Sequence, residues 1–314
     1  MHVVSIPMRV PFRGVRHREA ALIRGPKGWG EFSPFLEYDD QEAARWLGAA
    51  LEAATRGWPE PVRGEVPVNA TVPAVGAADV AGVLARFPGC TTAKVKVAQA
   101  GQGLKDDVDR VAAVREVMGA RARIRVDANG AWTTQEAVTA IAALRSYDLE
   151  YVEQPCASVE ELAAVRGRVD VLIAADESVR KAQDPLRVAR LHAADVVVLK
   201  VAPLGGVARA LDLARQCGLP VVVSSALDTS VGIRAGVALA AALPELPFAC
   251  GLATTSLLAS DVVRDSLDGH GGVIVLRDVV PDPQRLQDLA APPDRQRWWR
   301  ARIDRCAEVL GSAP

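Results

Sequence analysis

From about residue 67 the chain alternates short, nearly unbroken apolar runs with longer stretches in which apolar residues recur every three or four positions. The runs are VNATVPA (68–74), AKVKVA (93–98), RIRVDAN (123–129), YVEQP (151–155), LIAADES (172–178), VVVLKVA (196–202), PVVVSSAL (220–227) and FACGL (248–252). Their spacing, mostly 22 to 30 residues, is the length of one strand, one helix and two short loops. Runs continuous in Val, Ile and Ala are buried on both faces, as parallel strands beneath helices are. Eight such units in series predict an α/β fold, a (β/α)8 TIM-like barrel. An open doubly wound sheet is the alternative, disfavoured by the number of strands and by the lack of a GxGxxG after the first run. Between the runs, Thr133 with Glu136 three residues on predicts a capped helix start. DPLRVARLHAA (184–194), with Pro185 in its first turn, predicts another helix.

The ends of the chain read differently. Residues 1–66 give hairpin-like pieces with turns at Gly25-Pro26 and Gly28, then a helix in DDQEAARWLGAALEAA. Residues 271–314 give a strand, GGVIVLRDV, a Pro-rich link and an amphipathic helix, DRQRWWRARIDRCAEVL. The expectation is an α+β capping domain built from the N-terminal segment 1–66 and the tail 271–314, set on a barrel of residues 67–270.

Composition narrows the functional classes. The net charge of −1 offers no basic surplus for nucleic acid or an anionic membrane surface. No window of 18 or more uninterrupted apolar residues suggests a membrane span, and the N-terminus lacks the pattern of a signal peptide. The five cysteines are scattered without a CxxC pair, as expected of reduced core residues in a cytoplasmic protein. Of 37 Lys and Arg only six are lysine, at 27, 94, 96, 105, 181 and 200. Three of them, Lys94, Lys96 and Lys200, fall on apolar runs. A buried lysine can be tuned toward neutral pH and an arginine cannot.

The polar residues at the run ends form a pattern. Lys94 and Lys96 lie on the second run, Asp127 and Asn129 on the third, Glu153 on the fourth, Asp176 and Glu177 on the fifth, and Lys200 on the sixth. In a barrel these are adjacent staves at similar height, at the end where barrel active sites form. Three converging carboxylates, Asp127, Glu153 and Asp176, repel unless a cation joins them. An all-oxygen set suits Mg²⁺, with Mn²⁺ as substitute. Lys96 and Lys200 flank that point from opposite sides. A lysine beside a divalent cation has a depressed pKa and can act as a base, with Lys94 lowering it further. The bland alternative is a structural ion-pair network. Arg125 faces the barrel interior, as a counter-ion or a group near the substrate. His2, His17, His192 and His270 fall at no run end.

The motifs KVK (94–96), VDAN (126–129), VEQP (152–155), ADES (175–178) and LK (199–200), in that order, resemble the enolase superfamily, muconate lactonizing subgroup. The resemblance spans nearly the whole chain and includes GWGEFSPF (28–35) and SSALDTSVG (224–232). It implies that Asp127, Glu153 and Asp176 hold Mg²⁺, that Lys96 is the base, and that Lys200 stabilises the intermediate from the opposite face. PFRG (11–14) and CGLATTSLLASDV (250–262) are similar to a hydro-lyase branch of the subgroup serving menaquinone biosynthesis. This implies metal-dependent syn loss of water from a small succinyl-bearing ring carboxylate, through lysine proton abstraction and a metal-stabilised enediolate. Racemisation of N-succinylamino acids by the two lysines is the nearest alternative. A Schiff-base lyase on Lys200 is a more distant one.

Ser224, Ser225 and Gly251 end the last two runs before expected helix starts, whose N–H groups could take the succinyl carboxylate. Residues 12–18 are expected to form a mobile loop closing the pocket, with Arg13, Arg16 or Arg18 on the substrate. Asn129 and Asp228 are expected to orient neighbouring groups. The expected assembly is a monomer or small homo-oligomer.

Overall fold

The N-terminal strands β1 (His2–Phe12) and β2 (Val15–Gly25) pair antiparallel, and β2 turns between Gly25 and Gly28 into β3 (Gly28–Phe32). Helix α1 (Asp40–Thr55) lies across this sheet, its first turn capped by the Asp39 carboxylate. Two glycines permit the close approach. A Cβ on Gly30 would lie 1.9 Å from the Ala50 carbonyl oxygen, and one on Gly25 2.3 Å from that of Ala54. The structure, a computed structural model, describes residues 1–12, 14–182 and 184–311.

A short strand β4 (Glu65–Pro67) leads into the barrel. There follow β5 (Ala70–Val72), α2 (Val80–Leu84), β6 (Thr92–Lys96), α3 (Leu104–Met118), β7 (Arg123–Asp127), α4 (Thr134–Leu144), β8 (Leu149–Glu153) and α5 (Val159–Arg166). Then come β9 (Ile173–Ala175), α6 (Glu177–Arg180), α7 (Arg187–Arg190), β10 (Val196–Lys200), α8 (Val201–Leu204), α9 (Val207–Cys217), β11 (Val221–Ser224) and α10 (Ser230–Ala242). Strands β5 to β11 form one parallel sheet in sequence order. The eighth run contributes single parallel bridges, Cys250 to Val68 and Gly251 to Ser224, which close the sheet on itself. That closure excludes the open doubly wound alternative. As predicted, Thr133 and Glu136 form a reciprocal capping box at the start of α4.

Residues on the central strands are buried on both faces. One face packs against the surrounding helices. The other fills the lumen with Tyr151, Ala174, Val196, Val198 and Val222, and Phe248 packs against them. Val196 and Val198, two positions apart on β10, show the period of a strand face.

The predicted helix 184–194 is reduced to the single turn α7. Only Val188 on that turn is buried, Leu191 is 43 % exposed, and His192 adopts φ +48°. One buried side chain is too little apolar surface to hold a longer helix. The C-terminal strand, β12 (Val273–Val275), pairs with β4 at the entry to the barrel rather than with the cap sheet. After α11 (Pro283–Asp288), helix α12 (Pro293–Gly311) returns to the cap. There Trp299 meets Phe32 edge-on at 5.6 Å and donates to Glu19 at 2.8 Å. Among the described residues no helix is long and apolar enough to cross a membrane.

The spacing of hairpin and helix yields a test. Gly30→Ala should lower unfolding free energy by about 3 kcal/mol, since backbone rather than a flexible side chain blocks the new methyl. A urea midpoint equal to that of the parent would refute the close packing.

Candidate active site

Barrel register sets the site. Lys94, Arg125 and Tyr151 are Cα partners across β6, β7 and β8, and two residues on so are Lys96, Asp127 and Glu153. Each pair shares a strand face, so six functional side chains enter the lumen in two levels. Asp176 follows β9 directly, and Lys200 ends β10 level with Ser224.

Ammonium and carboxylate groups interlock there. Lys94 Nζ donates to Glu153 Oε1 at 2.9 Å and Oε2 at 3.1 Å, and lies 3.3 Å from Asp127 Oδ2. Lys96 Nζ donates to Asp127 Oδ2 and, at 2.8 Å, to Asn129 Oδ1. Lys200 Nζ donates to Asp176 Oδ2 at 2.5 Å. Asp127, Glu153 and Asp176 are 0 % exposed.

Electrostatics differ from residue to residue. Burial, then Asp127, push Glu153 up to about 7 against the pull of Lys94. For Asp127 burial acts the same way but is outweighed by Lys96 and Lys94, which hold it well below the usual carboxylate range. Asp176 is held low too, by Lys200 and Arg180 against burial. Burial works against the Lys94 charge, yet Glu153 and Asp127 raise its pKa. Lys96 is lowered, first by burial; Asp127 opposes and Lys94 assists. The expected tuning of Lys96 by Lys94 thus has the right sign, alongside the ion-pair network of the bland alternative.

Lys94, Lys96 and Lys200 border a cavity of about 40 Å³, which they share with Phe12, Ser225 and Thr254. Phe12 lies at the end of β1, with its ring 5.4 Å from Lys96 Nζ. Phe12 thus ends β1, and Val15 to Arg18 lie in β2 rather than in a free loop. Arg13 lies outside the described residues, and Arg16 is exposed. Arg18 is buried and donates to the carbonyls of Leu227 (3.0 Å), Ala226 (3.2 Å) and Ser33. It positions the wall of the pocket and is not among the residues that line the cavity. Arg125 serves as interior counter-ion, 2.5 Å from Glu150 and stacked over Tyr151 at 4.7 Å.

Ser224, Ser225 and Gly251 line the cavity, but their expected N–H capture of a carboxylate is not available at two of them. The Ser225 N–H goes to Gly251 O and the Gly251 N–H to Val223 O, the bonds that close the barrel. The start of α10 is occupied as well, since Glu31 Oε2 accepts from the N–H groups of Thr229 and Gly232. Asp228 accepts from Ala226 N at 3.0 Å and orients the same loop.

Four site residues were not singled out from sequence: Arg180, Tyr38, Gln154 and Phe12. Arg180 donates to Asp176 at 3.0 Å, to Glu177 at 2.5 Å and to Tyr38 Oη at 3.2 Å. Its i, i+4 spacing from Asp176 was a usable signal. Gln154 Oε1 accepts from the N–H groups of Asp176 and Ser178 and fixes the Asp176 backbone. Asn129, Gln154 and Leu227 have φ of +48°, +40° and +63°. Backbone strain in non-glycine residues of this kind concentrates at functional sites.

The donor set fits a divalent cation. It has three buried carboxylates and no histidine or cysteine, which suits a hard ion. Among the described residues no three acidic, histidine or cysteine groups stand together as they would have to in order to hold a metal ion, the lysines lying between the carboxylates. Lys94 bridges Asp127 and Glu153 and stands in there for positive charge. Burial and Asp127 raise Glu153 despite Lys94, whereas Asp127 and Asp176 are held low by their cations.

Comparison with known proteins agrees with this geometry. A family model described as enolase C-terminal domain-like matches residues 77–281, and one described as enolase N-terminal domain-like matches residues 3–54. The o-succinylbenzoate synthase of Mycolicibacterium smegmatis is 61% identical over 99% of this chain and 96% of its own. That of Thermobifida fusca is 60% identical over 95% and 93%. Among solved structures, 2-chloromuconate cycloisomerase from Rhodococcus opacus superposes with TM-score 0.79 at 22% identity, covering 93% of this chain and 98% of that one. L-Ala-D/L-Glu epimerase from Bacillus subtilis gives 0.76 at 24%, covering 88% and 94%. These two show likeness of fold.

The raised Glu153 predicts how cation affinity depends on pH. Its carboxyl binds a cation only after losing its proton. Affinity for Mg²⁺ should therefore rise up to about tenfold per pH unit below 7 and level off above about 8. Calorimetric titration across this range checks it; an affinity flat between pH 6 and 8 would contradict the assignment of Glu153.

Proposed function

The chain belongs to the enolase superfamily, and on that premise we propose that it is an o-succinylbenzoate synthase of menaquinone biosynthesis. It removes water from 2-succinyl-6-hydroxy-2,4-cyclohexadiene-1-carboxylate to give 2-succinylbenzoate. One observation carries the reading: Lys96 and Lys200 border a single cavity from β6 and β10, four staves apart, over three buried carboxylates. Identity of 57–61% to curated synthases over nearly the whole chain supports the substrate.

Asp127, Glu153 and Asp176 would hold Mg²⁺, or Mn²⁺ in its place. When bound, the cation supplies positive charge that offsets the second negative charge developing on the substrate carboxylate. Lys96, uncharged, takes the proton alpha to that carboxylate. The C–H electron pair becomes the new ring double bond and the C–O bond breaks. Lys96 then returns its proton to the departing hydroxide on the same face, so water leaves and the amine is regenerated. Burial, which lowers the pKa of Lys96, favours the uncharged amine. Phe12 covers this side and excludes water. Lys200 stays an ammonium opposite, held by Asp176 at 2.5 Å, and stabilises the developing anion. Because the ring becomes aromatic, the elimination is downhill and tolerates imperfect positioning. The enzyme acts in the cytoplasm, in keeping with its five free cysteines.

A second reading rests on the same two lysines. Racemisation of an N-succinylamino acid needs a base on each face, and both faces of this cavity have one. A Schiff-base route is disfavoured, since it would not need three buried carboxylates beside the lysines.

The ultraviolet absorbance of the cyclohexadiene substrate tests the proposal. Purified protein with Mg²⁺ should convert it, EDTA should stop conversion, and Lys96→Ala should lower kcat by about 10³-fold or more. No conversion by folded, Mg²⁺-loaded protein would overturn the synthase reading. N-succinylamino acid racemisation would then be assayed, with loss expected in both Lys96→Ala and Lys200→Ala.

A further inference from the structure

A second cavity, of about 330 Å³, lies away from the barrel mouth. The β2–β3 hairpin lines it with Arg24, Lys27 and Trp29, α10 with Arg234, and Trp58 and Asp278 complete its polar and aromatic walls. Its volume falls in the range of small-molecule sites. Arg234 is only 8 % exposed, yet its Nε and Nη1 have no hydrogen-bond partner. Its guanidinium stacks on Trp58 at 5.0 Å, and that of Arg24 lies 6.0 Å from the Trp29 ring. Burial disfavours the charge on Arg234, and the Asp278 carboxylate offsets this in part. Three cations thus face one anion across a cavity with two indole walls. Arg18, Arg110 and Arg180, also buried, each spend several N–H groups on named acceptors; Arg302 likewise leaves Nε and Nη1 without a hydrogen bond, but it lies 3.6 Å from the Asp40 carboxylate.

We propose that this cavity binds a small organic anion, its carboxylate or phosphate on Arg234 and its flat apolar body against the indoles. A guanidinium with free N–H groups is the protein group best matched to both head groups. The apolar walls select against bare inorganic anions, and the excess of positive charge selects against neutral rings. The first turn of α10 separates the two sites. Val231 borders this cavity, while Ser230 and Thr229 follow the loop whose residues 225–227 line the barrel pocket.

Isothermal titration of the full chain with 2-naphthoate, phenyl phosphate, inorganic phosphate and neutral 2-naphthalenemethanol tests this. At least one organic anion should bind saturably, and the tighter of the two identifies the preferred head group. Arg234→Met should weaken that binding about tenfold or more. Trp58→Leu should weaken it about fivefold, and Asp278→Asn should tighten it. Neither Arg234 nor Trp58 lines the barrel pocket, so dependence on them assigns binding to this cavity whatever the active site accepts. If Arg234→Met does not fold, the Trp58→Leu and Asp278→Asn proteins decide. Absence of saturable binding by both organic anions, affinity unchanged in folded Arg234→Met, or equally tight binding of naphthalenemethanol or inorganic phosphate would overturn the proposal.

Discussion

Three carboxylates and three ammonium groups share the mouth of the barrel, and each set makes the other tolerable. A buried ion without a partner costs several kcal/mol. Here the backbone register places Asp127 and Glu153 side by side before any side chain is chosen, so neither can escape the other. Lys94, rising from the level below, meets both. Compensation is incomplete, and Glu153 absorbs the shortfall, pushed up to about 7 by burial and by Asp127. Much of the site follows from that deficit: Gln154 fixes the Asp176 backbone, Arg180 shares the Asp176 charge, and the donor set has room for more positive charge. A structural network built only for stability would have no need of the deficit, because one more arginine would remove it.

The cap completes what the strands begin. Two buried side chains of the cap grip the loop between β11 and α10 from its two ends. Arg18 holds the carbonyls of Ala226 and Leu227, stacking over Phe35 at 4.6 Å. Glu31 takes the N–H groups of Thr229 and Gly232 and the Thr229 hydroxyl. Leu227, with φ +63° between them, keeps a conformation that an unsupported loop would give up. Glu31 itself is pushed up to about 7 by burial and by Asp228. The clamp is thus made of charges that are costly alone and acceptable together, the same principle as at the barrel mouth.

How far this was legible in the sequence depends on the range of each interaction. Strand positions, the shared face of Lys94 and Lys96, the hairpin at Gly25–Gly28 and the capping box at Thr133 all rest on residues within a few positions of one another. Local pattern was sufficient for them. The roles of Arg18 and Glu31 depend on partners about two hundred residues away, and nothing local distinguishes a clamp from a substrate contact. Ser225 and Gly251 were recognisable as pocket residues. That their N–H groups would be consumed in closing the barrel depended on the eighth stave being two bridges rather than a full strand. In α7 the pattern was present but the burial needed to sustain it was not.

The allocation of lysine follows from the same balance. Arg125, Arg110 and Arg180 neutralise carboxylates that need a permanent partner. In the proposed reaction Lys96 is the group for which a permanent charge would defeat the chemistry. Its proton is retained chiefly through Asp127, against both burial and Lys94. Any positive charge that takes over Asp127 leaves Lys96 with the two influences that expel its proton. An arginine at this position would keep its charge under the same influences, and the site would remain a closed ion-pair network. In the proposed reaction, binding of charge at Asp127 and release of a base at Lys96 would therefore be coupled through one carboxylate, and the two-residue period of β6 places Lys94 where it would reinforce that coupling.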